Sequence, residues 1–189
     1  IGENSQRGRY SDDVTNELYN FTTNISSNNC SIGNNTLLNN TSGNYNIAIG
    51  SNALQGDSVG SSGSFNIGIG NYVGVSLTTG SNNLFMGEHV GNKITEQINN
   101  IALGYYSMSN ALCEKSIAIG ENCLNVNKGS YTYALGTDTL KSSQYTDYTI
   151  GIGYQTLYSV VGITNTDNGK YAVAIGYKTL YNAAIITNA

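Results

Sequence analysis

The sequence predicts an all-β fold, a parallel β-solenoid of about ten short coils. Three observations predict it. A short apolar motif ending in glycine recurs with a period of 16–17 residues. Proline is absent, although glycine occurs 23 times. Only 11% of residues are charged, against about 25% in ordinary soluble domains. Self-similarity at a fixed period marks solenoids, in which each repeat buries its core only against its neighbours. A chain without proline suits a structure in which nearly every backbone N–H donates to a ladder.

In chain order the repeat glycines are Gly33, Gly50, Gly70, Gly87, Gly104, Gly120, Gly136, Gly153 and Gly176. The steps between them are 17, 20, 17, 17, 16, 16, 17 and 23 residues, so two copies carry insertions. Ile1-Gly2 reads as the tail of an earlier copy, and residues 10–21 (YSDDVTNELYNF) fit the repeat worst. The reading divides the chain into an irregular N-terminal segment with a degenerate coil, 1–29, and a repeat domain, 30–189. Both are expected to belong to an excerpt of a longer fibre.

Each column of the repeat has its own chemistry. Before the glycines stand Ile32, Ile49, Ile69, Met86, Leu103, Ile119, Leu135, Ile152 and Ile175. Two residues earlier stand Cys30, Ile47, Ile67, Leu84, Ile101, Ile117, Tyr133, Ile150 and Val173. Apolar residues at period two predict a short strand with these side chains buried. Four residues after the glycine comes Leu37, Leu54, Met108, Leu124, Leu140, Leu157 or Leu180, with Gly74 and Gly91 in two copies. This gives a third inward position. Gly43, Gly63, Gly80, Gly129 and Gly169 precede a repeat glycine by seven and read as turn residues supplying positive φ.

Between the two strand aliphatics lie Ser31, Ala48, Gly68, Phe85, Ala102, Ala118, Ala134, Gly151 and Ala174. Strand alternation then points this mostly small column outward. Small outward residues, together with a core too thin to stand alone, predict self-association along the solenoid axis.

The runs NIAIGSNAL (46–54), SIAIGENCL (116–124) and AVAIGYKTL (172–180) resemble the head repeats of trimeric autotransporter adhesins. AIGYKTLYN (174–182) and GIGYQTLYS (151–159) are equally similar to Gly-Tyr-rich repeats of phage and large-virus fibres. The likeness covers residues 30–189. It implies a left-handed parallel β-roll, assembled as a parallel homotrimer on a cell or virion surface. The period departs from the adhesin pattern, which is shorter. The resemblance implies a non-enzymatic extracellular fibre or adhesin head that gives reach and displays an attachment surface. The alternative is a purely structural filament or virion-fibre subunit without a receptor.

Other chemistry is sparse. The net charge is −4 and no Lys/Arg cluster occurs, which argues against nucleic acid. No apolar run reaches the ~20 residues of a membrane helix, so no membrane contact is expected within this segment. The single histidine, His89, has no ligand-spaced partner, and Asp12-Asp13 reads as a solvated turn. No catalytic, metal or cofactor constellation is expected, and the chain reads as a non-enzyme. Cys30, Cys113 and Cys123 are odd in number and read as free thiols. Tyr72, Tyr105, Tyr106, Tyr154 and Tyr177 are the candidate surface-binding residues, suited to a host glycan or surface protein. Asn20, Asn24, Asn29, Asn34, Asn39 and Asn40 begin Asn-x-Ser/Thr sequons.

Overall fold

The computed structural model describes residues 26–162, 172–182, 184 and 185. The expected degenerate coil within 1–25, Asp12-Asp13, the sequons of Asn20 and Asn24, and Gly169 lie outside the described residues. Eleven strands follow one another: β1 (Cys30–Ile32), β2 (Ile47–Ile49), β3 (Ile67–Ile69), β4 (Leu84–Met86), β5 (Ile101–Leu103), β6 (Ile117–Ile119), β7 (Tyr133–Leu135), β8 (Ile150–Ile152), β9 (Val161–Gly162), β10 (Val173–Ile175) and β11 (Ala184–Ile185). Nine form one parallel sheet in the order β1-β2-β3-β4-β5-β6-β7-β8-β10, and β11 pairs β9 in a second small sheet. Equivalent repeat positions pair throughout, as Ile101 with Ile117 and Ala102 with Ala118. The chain is a parallel β-solenoid, and no helix occurs among the described residues.

Hydrogen bonding between coils continues around the turns. In one coil Met108 N–H donates to Cys123 O at 3.0 Å, Asn110 to Asn125 O at 2.8 Å and Leu112 to Asn127 O at 2.8 Å. Proline at any of these positions would delete a rung, which explains its absence.

The interior corrects the expected register. The central strand residue is the buried one: Ala48, Phe85, Ala102, Ala118, Ala134 and Ala174 all lie in the core. The flanking aliphatics point outward. Ile32 is 45% exposed, Ile119 39% and Ile152 38%. The small column therefore does not form the outer face. Its small size has an internal cause, because the leucine four residues after each glycine fills the space opposite the strand. A Cβ on Gly68 would lie 2.7 Å from Leu54 Cγ.

Those leucines hold an uncommon backbone conformation. Leu37, Leu54, Met108, Leu124, Leu140 and Leu157 have φ between 46° and 53°. Left-handed backbone costs a non-glycine residue about 1–2 kcal/mol, whereas burying a leucine contributes about 1.5–3 kcal/mol. Burial offsets the strain, so the position keeps leucine. Where it becomes Gly91, the strand of the same coil supplies the bulk as Phe85. The coil of Gly74 has Gly68 on its strand, and its space is filled from the neighbouring coils, by Leu54, whose Cδ2 would lie 2.9 Å from a Cβ there, and by the Phe85 ring. A Cβ on Gly91 would lie 3.1 Å from Phe85 Cε2, and one on Gly74 3.3 Å from Phe85 Cδ2. In most coils one large side chain faces the strand, from either the turn or the strand, and the Phe85 ring serves both Gly91 and Gly74.

The two glycine columns work differently. Gly120 has φ +138, and a Cβ there would lie 2.6 Å from the Gly136 carbonyl. The turn glycines Gly43, Gly63, Gly80 and Gly129 do not have the expected positive φ. They are required by close approach, since a Cβ on Gly43 would sit 2.2 Å from Gly63 O.

A column of buried amides runs beside the strands. Asn46, Asn66, Asn83 and Asn100 immediately precede β2 to β5 and are all buried. Each Oδ1 accepts from the backbone N–H of its counterpart in the next coil: Asn66 to Asn46 at 2.9 Å, Asn83 to Asn66 at 3.0 Å, Asn100 to Asn83 at 3.0 Å. Each Nδ2 donates to the chain seven residues before the repeat glycine, as Asn46 to Gly63 O at 2.9 Å and Asn66 to Gly80 O at 2.9 Å. Ser116 and Thr132 continue the column with hydroxyls. These bonds satisfy buried polar groups that would otherwise cost about 1–3 kcal/mol each.

The exchange of bulk gives a double-mutant test. Phe85→Ala should destabilise the assembled protein by about 3–5 kcal/mol. Gly91→Leu alone should also destabilise it, by overpacking against the ring. The pair together recreates the Ala118/Leu124 arrangement and should recover most of the loss in thermal unfolding. Additive losses would contradict the shared volume.

Candidate functional site

The outer face of the nine-stranded sheet is a continuous apolar strip among the described residues. Its two columns, Cys30 to Val173 and Ile32 to Ile175, are apolar at nearly every rung. Ile47, Met86, Tyr133, Leu135, Val173 and Ile175 are exposed, and the rest are half-buried or exposed. At ~4.8 Å per rung the strip runs about 38 Å. Its backbone is fully paired, so what it offers is aliphatic surface.

Beside this strip run aromatic ladders. Tyr72, His89 and Tyr106 follow each other in three coils, with centroids 5.1 and 4.8 Å apart. The stack clamps His89 on both faces. Its Nδ1 lies 3.1 Å from Asn92 Nδ2 and its Nε2 3.8 Å from Glu88 Oε1. Tyr105 meets Tyr106 edge-on at 4.5 Å. Desolvation first, then the charges of Tyr106, Glu88 and Glu121 and a hydrogen bond with Tyr106, raise its phenol above the ordinary value. Tyr154 and Tyr177 stack at 5.6 Å. The five candidate tyrosines thus form two separate groups, and the faces of Tyr72, Tyr106, Tyr154 and Tyr177 are turned toward other rings.

Three further stacks escaped the sequence reading. Tyr45 lies on Phe65 at 5.0 Å, Tyr131 on Tyr148 at 4.8 Å and Tyr158 on Tyr181 at 4.9 Å. The signal was present: aligning the copies two residues before each strand puts Tyr45, Phe65, Tyr131 and Tyr148 in one column. Lysines continue the ladders, with Lys115 Nζ 5.0 Å from the Tyr131 centroid and Lys141 Nζ 5.8 Å from that of Tyr158.

Polar chemistry is confined to local pairs. Lys141 Nζ lies 2.9 Å from Asp138 Oδ1, and Gln155 Nε2 donates to Asp138 Oδ2 at 3.3 Å. Burial pushes Asp138 up, but hydrogen bonds from Lys141 and Gln155, the Lys141 charge and Asn122 together hold it below the usual carboxylate range. Among the described residues no three His, Cys, Asp or Glu side chains group as metal ligands. No described helix is long and apolar enough to cross a membrane.

All three cysteines are free, with Cys30 exposed and Cys113 and Cys123 buried. Burial pushes both buried thiols up to about 12. Of the described sequons, Asn29 Nδ2 donates to Gly43 O, Asn39 Nδ2 to Gly56 O and Asn40 Nδ2 to Gly43 O. Those three amide nitrogens are engaged inside the folded coil.

Two measurements test these environments. Iodoacetamide should leave Cys113 and Cys123 unmodified in the native protein and modify both after unfolding. Native alkylation of either would contradict its packing. The second concerns Asp138, whose folded value is depressed. Its contribution is therefore present above the ordinary carboxylate range and lost as pH falls through the folded value. Lys141→Met should raise that value, so the loss on acidification begins at higher pH, as read by a carboxyl NMR titration. An unchanged midpoint would remove Lys141 as a cause.

No known protein family, curated protein or solved structure matches this chain.

Proposed function

We propose that this chain is a rod segment of a non-enzymatic extracellular fibre, a left-handed β-roll assembled as a parallel homotrimer. The observation that carries the reading is the aliphatic outer face of the nine-stranded sheet. Parallel sheets occur almost only with both faces covered. Here the inner face is covered by the turns of its own coil, and the outer face shows aliphatics where solvent would select polar residues. A second copy is the fitting cover. Every copy has the same rung spacing, so parallel copies meet aliphatic to aliphatic along the whole strip. The resemblance of the repeats to trimeric adhesin heads and to phage and virus fibres supports the threefold arrangement and a cell or virion surface as its place. Self-association is proposed here for a reason opposite to the sequence argument: the large residues would form the interface, while the small ones line the core.

Attachment to a host glycan or surface protein is the adhesin form of this proposal, with Tyr177 the most exposed of the candidate rings and Tyr105 the one not stacked face to face. One observation favours the structural-filament form. Four of the five candidate tyrosines stack face to face with another ring, Tyr72 and Tyr106 on His89 and Tyr154 with Tyr177, which reduces the ring faces left for a ligand. Binding of the assembled rod to glycan arrays or cells separates the two forms.

The oligomer itself is tested by light scattering. The protein should run at three times its monomer mass. Ile119→Asp would place three carboxylates in an apolar strip, and it should dissociate or unfold the assembly, whereas Glu121→Lys on the neighbouring turn should not. Cys30 belongs to the strip and is the exposed thiol, so mild oxidation should join chains through it and leave Cys113 and Cys123 reduced. A folded, stable monomer at micromolar concentration would overturn the reading.

A further inference from the structure

We infer that the stacked tyrosine pair Tyr131–Tyr148 is an oxidative cross-linking site, at which a carbon–carbon bond between the rings ties two consecutive coils covalently. The rings lie 4.8 Å apart with an interplanar angle of 8°. The pair is reachable from solvent, with Tyr148 44% exposed and Tyr131 half-buried. The two backbones are held one rung apart, since Tyr131 precedes β7 and Tyr148 precedes β8 by two residues each, and β7 pairs β8. Both residues hold left-handed backbone, with φ of 57° and 51°, so their side chains leave the coil in the same direction. Lys115 Nζ donates to the Tyr131 hydroxyl at 2.8 Å, which holds that ring in the stack.

The chemistry needs a one-electron oxidant, such as a haem peroxidase with hydrogen peroxide. Each phenol gives up one electron and passes its hydroxyl proton to water. The two neutral radicals then couple through ring carbons ortho to the oxygens. Each new tetrahedral carbon loses its hydrogen as a proton, and each oxygen takes one up, so both rings become aromatic again. Two tyrosines thereby lose two hydrogens in total, and one hydrogen peroxide becomes two waters. Radicals on isolated surface tyrosines must wait for a second chain. Here the partner radical forms within contact distance, so coupling within one chain prevails.

The chain contains its own control. Tyr45 stacks on Phe65 at 5.0 Å and 9°, the same arrangement without a second phenol. The native protein should be treated with peroxidase and hydrogen peroxide, digested and mapped by mass spectrometry. The expected product joins the peptides bearing Tyr131 and Tyr148, lighter by two hydrogens, in a band of single-chain mobility under denaturing conditions. Tyr131→Phe should abolish it, and Phe65→Tyr should create a new link between positions 45 and 65. A product unchanged by Tyr131→Phe, links found only between chains, or no 45–65 link in Phe65→Tyr would each overturn the proposal. The reading does not depend on the trimer, because a monomer would give the same within-chain product.

Discussion

The interior of this solenoid is narrow, and the space facing the sheet is shared between the strand and the turn four residues after each repeat glycine. The turn can fill it with a left-handed leucine, with alanine or glycine on the strand. The strand can fill it with Phe85, with Gly74 and Gly91 on the turns. Once that space is taken, the flanking strand residues have nowhere to go but outward. A core this thin uses up little of the chain's aliphatic content. The remainder forms a continuous strip on the outer sheet face, and the assembly reading follows from that strip. The narrow core thus sets the strain in the turns, the small strand column and the surface chemistry together.

Polar groups obey the same spacing. Because equivalent atoms recur one rung apart, a residue that can pair with itself gains a partner above and below. Asparagine does so in the buried column beside β2 to β5, where each amide both accepts from and donates to the backbone of the following coil. Tyrosine does so on the surface, by stacking. Hydroxyl residues take over the buried column at Ser116 and Thr132, with a shorter reach. The abundance of Asn and Tyr is therefore a consequence of translational repetition, in which self-complementary side chains are favoured.

Much of the fold was legible in the sequence. The repeat glycines gave the period, the apolar period-two pairs gave every strand from β1 to β8 and β10, and the leucine column was placed inside, which fails only at Leu180, exposed in the last described coil. Which strand face points inward was not legible from alternation alone, because I-A-I is apolar on both faces. The deciding clue was a correlation between columns: Phe85 occurs only where the leucine is replaced by Gly74 and Gly91. The role of the turn glycines was misjudged in kind. Gly43, Gly63 and Gly80 are needed for the closeness of the next coil, a property of stacking that no single copy displays. The candidate tyrosines were located as surface residues, but stacking between coils emerged only when residues about seventeen positions apart became neighbours. His89 shows the same gap: its surroundings are two rings from other coils, while its own sequence neighbours supply only Asn92 and Glu88.

Near-identical coils create a hazard during folding, since a strand that skips its proper neighbour still finds a matching ladder. The level built around Phe85 limits this. A ring placed opposite Leu124 or Leu140 would meet a filled interior, whereas opposite Gly74 and Gly91 it fits. That single exception to the repeat therefore acts as a landmark in an otherwise periodic chain. It lets the polypeptide count its own coils and fixes which of them lie side by side.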